Sequence, residues 1–243
     1  MRTTRLYHTG NLCCGETTQL DANASSHLIR VLRSQTGTTV TLFNGDGYDY
    51  LCKTLDTDPR KTSVNIESKV PNDNESNLSI TLIQGLSRQD RMEATIQKSV
   101  ELGVNKIIPV ICQRSNSRLS KEKQVKKLQH WRNVAISACE QSGRAVIPEI
   151  TEVISLSGLI SLLDDQALKL CLLPQADTSL KSIDYRRQSI ELFIGPEGGL
   201  NEDETGYLNK ENFMSIRFGP RVLRTETAGP AVISALQTLW GDL

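Results

Sequence analysis

Three charged side chains stand among glycines and prolines late in the chain: Glu197 within IGPEGGL, and Arg224 and Glu226 within FGPRVLRTETA. A carboxylate in a glycine-walled loop is a candidate general base. An arginine facing the same space can stabilise negative charge that develops on a substrate oxygen, or it can clamp Glu226 as an ion pair. Glu197 has a structural alternative as well, contact with the amino terminus of the helix that follows it. Glycines carry no Cβ, so main-chain N–H and C=O groups can come close to a ligand there. Such a pocket suits an uncharged, flat group such as adenine, held by main-chain hydrogen bonds.

Both loops need strands to aim them. Ile190, Leu192, Phe193 and Ile194 form a short buried-strand pattern that Gly195-Pro196-Glu197-Gly198-Gly199 ends abruptly. Asn201 with Glu204 three residues on predicts a capping box opening a helix. Met214 to Phe218 reads as a second strand and Gly219-Pro220 as a turn, with Thr225 or Thr227 capping the last helix. Glycine-rich loops at the carboxyl ends of parallel strands are where open α/β sheets bind ligands. Other chemistries lack their signatures: there is no G-x-G-x-x-G after a strand, no G-x-x-x-x-G-K-[ST], no G-x-S-x-G and no H-E-x-x-H. The six cysteines include no C-x-x-C pair, and with three histidines no metal-ligand spacing arises, so no metal is expected.

At these residues the sequence resembles a known family. IGPEGG followed by FGPRVLRTETA is similar to the paired cofactor loops of the SPOUT methyltransferases, and more narrowly to the RsmE family, which methylates N3 of a uridine in 16S ribosomal RNA (position 1498). SRQDRMEATIQKSVELGV, ACEQSGRAVIPEI, Leu172-Leu173-Pro174 and the amino-terminal HLIRVLR extend the likeness over essentially the whole chain. The resemblance implies an α/β fold, a SPOUT-type parallel sheet with a carboxyl-terminal trefoil knot, preceded by a small PUA-like β-barrel that binds RNA. It implies S-adenosyl-L-methionine held by Leu173, Pro174, Gly195, Pro196, Gly198, Gly199, Phe218, Gly219, Leu223 and Thr225; Glu197 and Arg224, from their own chemistry, are the candidate catalytic residues beside it. It further implies a homodimer through the last helix and a 16S rRNA substrate, in the assembled small subunit. Arg91 stands where the family commonly has lysine, which keeps the charge but not the geometry. Gly229-Pro230 falls in the first turn of the last helix, where proline is tolerated.

The remaining chain supports this organisation. Alternation over Thr38–Phe43, Tyr48–Leu55 and Lys61–Val70, with Asn44-Gly45-Asp46-Gly47 as a hairpin turn, predicts a small β domain over residues 1–72. A helix over Ala24–Leu32 interrupts it. A polar linker spans 73–77, and strands then alternate with helices over 78–243: strands at Leu78–Leu82, Lys106–Ile111 and Leu168–Leu173, helices at Asp90–Leu102, Ser120–Ser142 and Leu156–Leu163. The Ser120–Ser142 helix is expected to bury Val125, Leu128, Trp131, Ala135, Ala138 and Cys139.

The formal charge of zero hides a basic middle: residues 1–77 carry −1, 78–145 carry +7 and 146–243 carry −6. A local basic face is what RNA phosphates respond to. Arg2, Arg5, Arg30, Arg33, Arg88, Arg91, Arg114, Arg118 and Arg144 are the candidate RNA contacts, one or two of them expected to pair with carboxylates instead. No apolar run reaches membrane-spanning length, so a cytoplasmic protein without membrane contact is expected. Two other readings are open to this sequence: an RNA-binding assembly factor with a vestigial pocket, and a nucleotide-dependent oxidoreductase, which lacks its phosphate fingerprint.

Overall fold

The computed structural model describes residues 4–115, 120–185 and 189–243. The chain forms two compact units, one of residues 1–75 with 139–147, the other of 76–138 with 148–243. The second segment of the first unit lies in the stretch that the sequence reading keeps wholly with the second domain.

The first unit holds a five-stranded sheet of β1 (Thr4–Tyr7), β2 (Thr17–Gln19), β3 (Thr39–Phe43), β4 (Tyr48–Thr54) and β5 (Ser63–Pro71). Their order is β1-β3-β4-β5-β2, with β1 and β3 parallel and the other neighbours antiparallel. The sheet curls until its edges approach, since Thr18 Oγ1 and His8 Nε2, just past β1, are 3.4 Å apart. The inward faces of the alternating strands supply Leu6, Val40, Leu42, Tyr50, Cys52, Val64 and Ile66, and Leu28 covers them. Helix α1 (Ala22–Ser26) is capped by Asp21 and runs on as a π-helical turn over His27–Val31.

Two expected RNA contacts are structural members of this unit. Arg5 pairs with Asp49, donates to the Arg144 carbonyl at 3.1 Å and lies over the Phe43 ring. Arg144, 2% exposed, grips Glu75 through Nε at 3.0 Å and Nη2 at 2.5 Å. Their guanidiniums are turned to carboxylates, a carbonyl and a ring within the protein. Arg30 and Arg33 are exposed, and Arg33 has φ of 53°. Arg2 and Arg118 lie outside the described residues.

The second unit is built on a parallel sheet of β6 (Ser79–Gly85), β7 (Lys106–Ile111), β8 (Glu149–Ile150), β9 (Ile154–Ser155), β10 (Leu168–Leu172), β11 (Ser189–Ile194) and β12 (Met214–Ile216). The order is β12-β10-β11-β6-β7-β8, with β9 also on β7. Parallel strands covered on both faces read as continuous apolar runs, as LFI in β11 and IIPV in β7 do. Helices α2 (Gln89–Glu101), α3 (Lys121–Ser142), α4 (Glu202–Lys210) and α5 (Thr225–Trp240) complete the elements, and α2 packs on α5.

Several expectations change here. Val125 is 68% exposed, whereas Leu128, Trp131, Ala135, Ala138 and Cys139 are buried as expected. Leu156–Leu163 is two short 3-10 turns, Leu156–Gly158 and Ile160–Leu162, in place of one helix. The last helix begins at Thr225 with Arg224 in the cap position and no side-chain cap. Pro230 therefore lies inside the helix, beyond its first turn, and the Glu226 carbonyl lacks the amide it would otherwise receive.

Candidate functional site

The carboxyl ends of β10, β11 and β12 open onto a cleft of about 630 Å³, within the range of small-molecule sites. One wall is Gly195–Leu200 after β11, the other is Arg217–Thr225 between β12 and α5, and Leu172–Gln175 after β10 closes the side. All ten expected cofactor residues except Gly198 line it. Gly198 instead allows a close crossing: a Cβ there would fall 2.8 Å from Arg114 Cβ and 3.0 Å from the Arg114 carbonyl oxygen.

The first loop is tied down from three sides. Asn201 and Glu204 form the expected capping box of α4, and Glu204 also accepts from the Gln113 amide at 2.7 Å. Arg114 Nη1 donates to the carbonyls of Gly198 and Leu200 at 3.3 and 3.4 Å. Glu197 accepts from the Arg88 amide and from Arg91 Nη1, both at 3.1 Å. These two bonds join it to the start of α2, more than a hundred residues earlier in sequence. With a guanidinium and an amide on one oxygen, the carboxylate works as a tie between β11 and α2. Arg91 also lies 3.9 Å from Glu226, taking the place that Arg224 had as a candidate partner of that carboxylate.

The second loop is fastened by a buried side-chain chain. Gln84, fully buried on β6, donates through Nε2 to the Gly85 carbonyl at 3.0 Å and to Thr225 Oγ1 at 2.9 Å. Thr225 Oγ1 in turn donates to the Gly195 carbonyl at 2.9 Å. Next to Gln84, a Cβ on Gly85 would stand 2.6 Å from the Pro196 nitrogen, so only glycine lets β6 pass beneath the loop. Sequence reasoning missed both residues, although a lone Gln ending the apolar run SITLI was a readable signal. It also missed Arg217 and Arg221, exposed residues that line the cleft beside Arg224.

Between Arg217 and Thr225 the chain offers main-chain donors. The amides of Phe218, Gly219, Arg221, Val222 and Leu223 donate to no acceptor among the described residues. The nearby thiols are no nucleophiles: burial pushes Cys171 and Cys112 each up to about 12. No group of acidic, histidine and cysteine side chains able to hold a metal occurs among the described residues.

An RNA methyltransferase domain model matches residues 74–237, and an RNA methyltransferase PUA domain model matches residues 20–67. The chain belongs to the ribosomal RNA small subunit methyltransferase E family. The member from Buchnera aphidicola of Schizaphis graminum is 33% identical over 242 residues, covering 100% of this chain and 98% of the relative. The crystallised family member from Neisseria gonorrhoeae, bound to S-adenosyl methionine, superposes with TM-score 0.93 at 37% identity over 100% of both chains. A putative methyltransferase from Legionella pneumophila, in complex with its bound cofactor SAM, gives 0.96 at 37% identity, again over 100% of both. The parallel sheet and the PUA-like curled sheet of this family member thus agree with the fold class its sequence implied.

Proposed function

We propose that this chain methylates N3 of a uridine in 16S ribosomal RNA, at position 1498 by family, with S-adenosyl-L-methionine as donor. The observation that carries the reading is the pair of loops at the carboxyl ends of the strands, which wall one cleft, with the amides of the second loop donating to no acceptor among the described residues. These residues fit the cofactor: the amides of Phe218, Gly219, Arg221, Val222 and Leu223 would serve adenine edges, and Leu172, Leu173 and Leu223 would cover its faces. When bound, S-adenosylmethionine supplies an electrophilic methyl group. The protein must bring the base in line and handle the imide proton, and N3 is accessible only in an unpaired or extruded uridine.

Arg224 lines the cleft, and its guanidinium makes no hydrogen bond or ion pair with a described residue. It is placed in this reading at the uracil oxygens, where negative charge builds as the imide proton leaves. Glu197, committed to Arg91 and the Arg88 amide, is a positioning residue that ties the first loop to the start of α2. Two companion features belong to the same proposal. The chain leaves β12 at the sheet edge, yet Thr225 is bonded to Gly195 after β11 and Gln84 on β6, further into the sheet, which supports a trefoil crossing. A crystallographic trace with residues 217–225 running outside the loop that joins β10 to β11 would remove the knot. On α5, Leu239 is 47% exposed and Trp240 stacks on Tyr185 at 4.5 Å, which supports a homodimer, to be read by sedimentation.

The deciding experiment supplies the chain with labelled donor and either deproteinised 16S RNA or small subunits from a strain lacking this activity. Mass mapping should find one methyl group on a uridine, and subcellular fractionation should place the protein in the cytoplasm. Arg224→Ala should abolish transfer while the donor still binds by calorimetry. Absence of donor binding by the wild type would defeat the assignment.

A further inference from the structure

Five arginines line the cleft, and their partners divide them into two groups. Arg91 is held by Glu197 and Glu226, and Arg114 by two carbonyls of the first loop. Arg217, Arg221 and Arg224 are exposed, and their guanidiniums contact no described acceptor. All three belong to one eight-residue stretch, RFGPRVLR, which contains no acidic residue. Within it Val222 is 79% exposed, more than any other large apolar side chain among the described residues. Unpaired guanidiniums around a projecting apolar side chain are the equipment of a segment that grips a strand and enters its base stack.

Building on the methyl-transfer reading, we propose that the segment Arg217–Arg224 is the element that engages single-stranded RNA. Arg217 and Arg221 take backbone phosphates flanking the target nucleotide, and Val222 fills the gap the displaced base leaves. The cationic track thus runs over the second loop. Arg114 and Arg91, on the opposite wall, are occupied in holding the protein together. Extruding a base forfeits its stacking, and an apolar side chain placed in the gap offsets part of that loss. The same main chain faces the cofactor through its amides, so one stretch would register RNA against donor.

The test uses the full chain with 16S RNA and a uridine-containing single-stranded oligonucleotide. Arg217→Ala/Arg221→Ala should keep donor affinity within about twofold while weakening RNA binding on the order of tenfold, as expected for lost phosphate contacts. The slope of log affinity against log salt should become shallower by about 1.4, about 0.7 for each phosphate contact with a single strand. Val222→Ser should lower kcat on the structured RNA more than on the oligonucleotide, and Val222→Leu should restore it. Unchanged RNA affinity and salt slope in the double variant would overturn the proposal. So would lost donor affinity with RNA binding intact, which would make the segment a cofactor element only. A Val222→Asp variant that alters sedimentation but not RNA affinity would assign the side chain to a contact between copies, and would also overturn it. If wild type neither binds donor nor methylates RNA, the underlying assignment fails. If it does both and the variants match it, only the present inference fails.

Discussion

Replacing Thr225 by valine tests whether the two loops are joined by a hydroxyl or merely by packing. The side chain is 6% exposed and makes two hydrogen bonds of 2.9 Å, donating to the Gly195 carbonyl and accepting from Gln84 Nε2. Valine has the same shape but serves neither partner. Leaving a buried polar group unmatched costs about 1–3 kcal/mol. Here one Gln84 N–H is orphaned in a residue whose Oε1 already lacks a partner. The Gly195 carbonyl, half-buried at the cleft, recovers part of its loss from water. The added methyl returns at most about 0.8 kcal/mol, so the net destabilisation should be about 2 kcal/mol. Thr225→Ser keeps both bonds and loses only a methyl, about 1 kcal/mol. The expected stability order is therefore threonine, serine, valine. Urea midpoints without donor measure it, and Tm should fall by about 4–8 °C for valine in a chain of this size. Valine as stable as threonine, or above serine, would show that the loops are held by apolar contact and refute the reasoning.

Arg144→Ala should destabilise the chain by about 3–5 kcal/mol in urea, because Glu75 loses its partner at a largely desolvated site. Burial raises the Glu191 carboxyl above 4.5, chiefly by desolvation against the weaker pull of the Asp164 amide and Lys169. A carboxyl raised on folding contributes most to stability below its unfolded value, and that contribution is lost as pH rises through the folded value. Glu191→Gln should thus be more stable than wild type at neutral pH, with the gap closing below about 4.5; urea midpoints across pH read this, and an equal gap at both ends would contradict it. Thiol labelling of the native chain near neutral pH should modify Cys13 and Cys14 only, since both are exposed while burial pushes Cys52 to about 11 and Cys112, Cys139 and Cys171 to about 12.

Local chemistry made much of this site readable. The capping box at Asn201 and Glu204 stands where its short-range pattern places it, and a strand feeds each loop, the second ending at Ile216 and not at Phe218. Partnership across the fold is what local patterns cannot carry. Glu197 meets a helix more than a hundred residues earlier, Arg5 and Arg144 turn inward to carboxylates, and Thr225 serves Gly195 and Gln84 instead of capping its own helix. An arginine's sequence position gives its charge, but only the neighbours brought by topology decide whether that charge is spent inside. Val125 failed for a related reason: helical spacing marks a face, and that face must still find a partner.

The first unit closes only with Cys139–Ile147, which returns to pin Glu75 through Arg144 and the Tyr7 amide through Glu140. The opening 75 residues already carry that unit's apolar core, yet the polypeptide must grow past Ile147 before the last polar fasteners arrive. A nascent chain halted short of that point should therefore be more sensitive to protease than the finished unit.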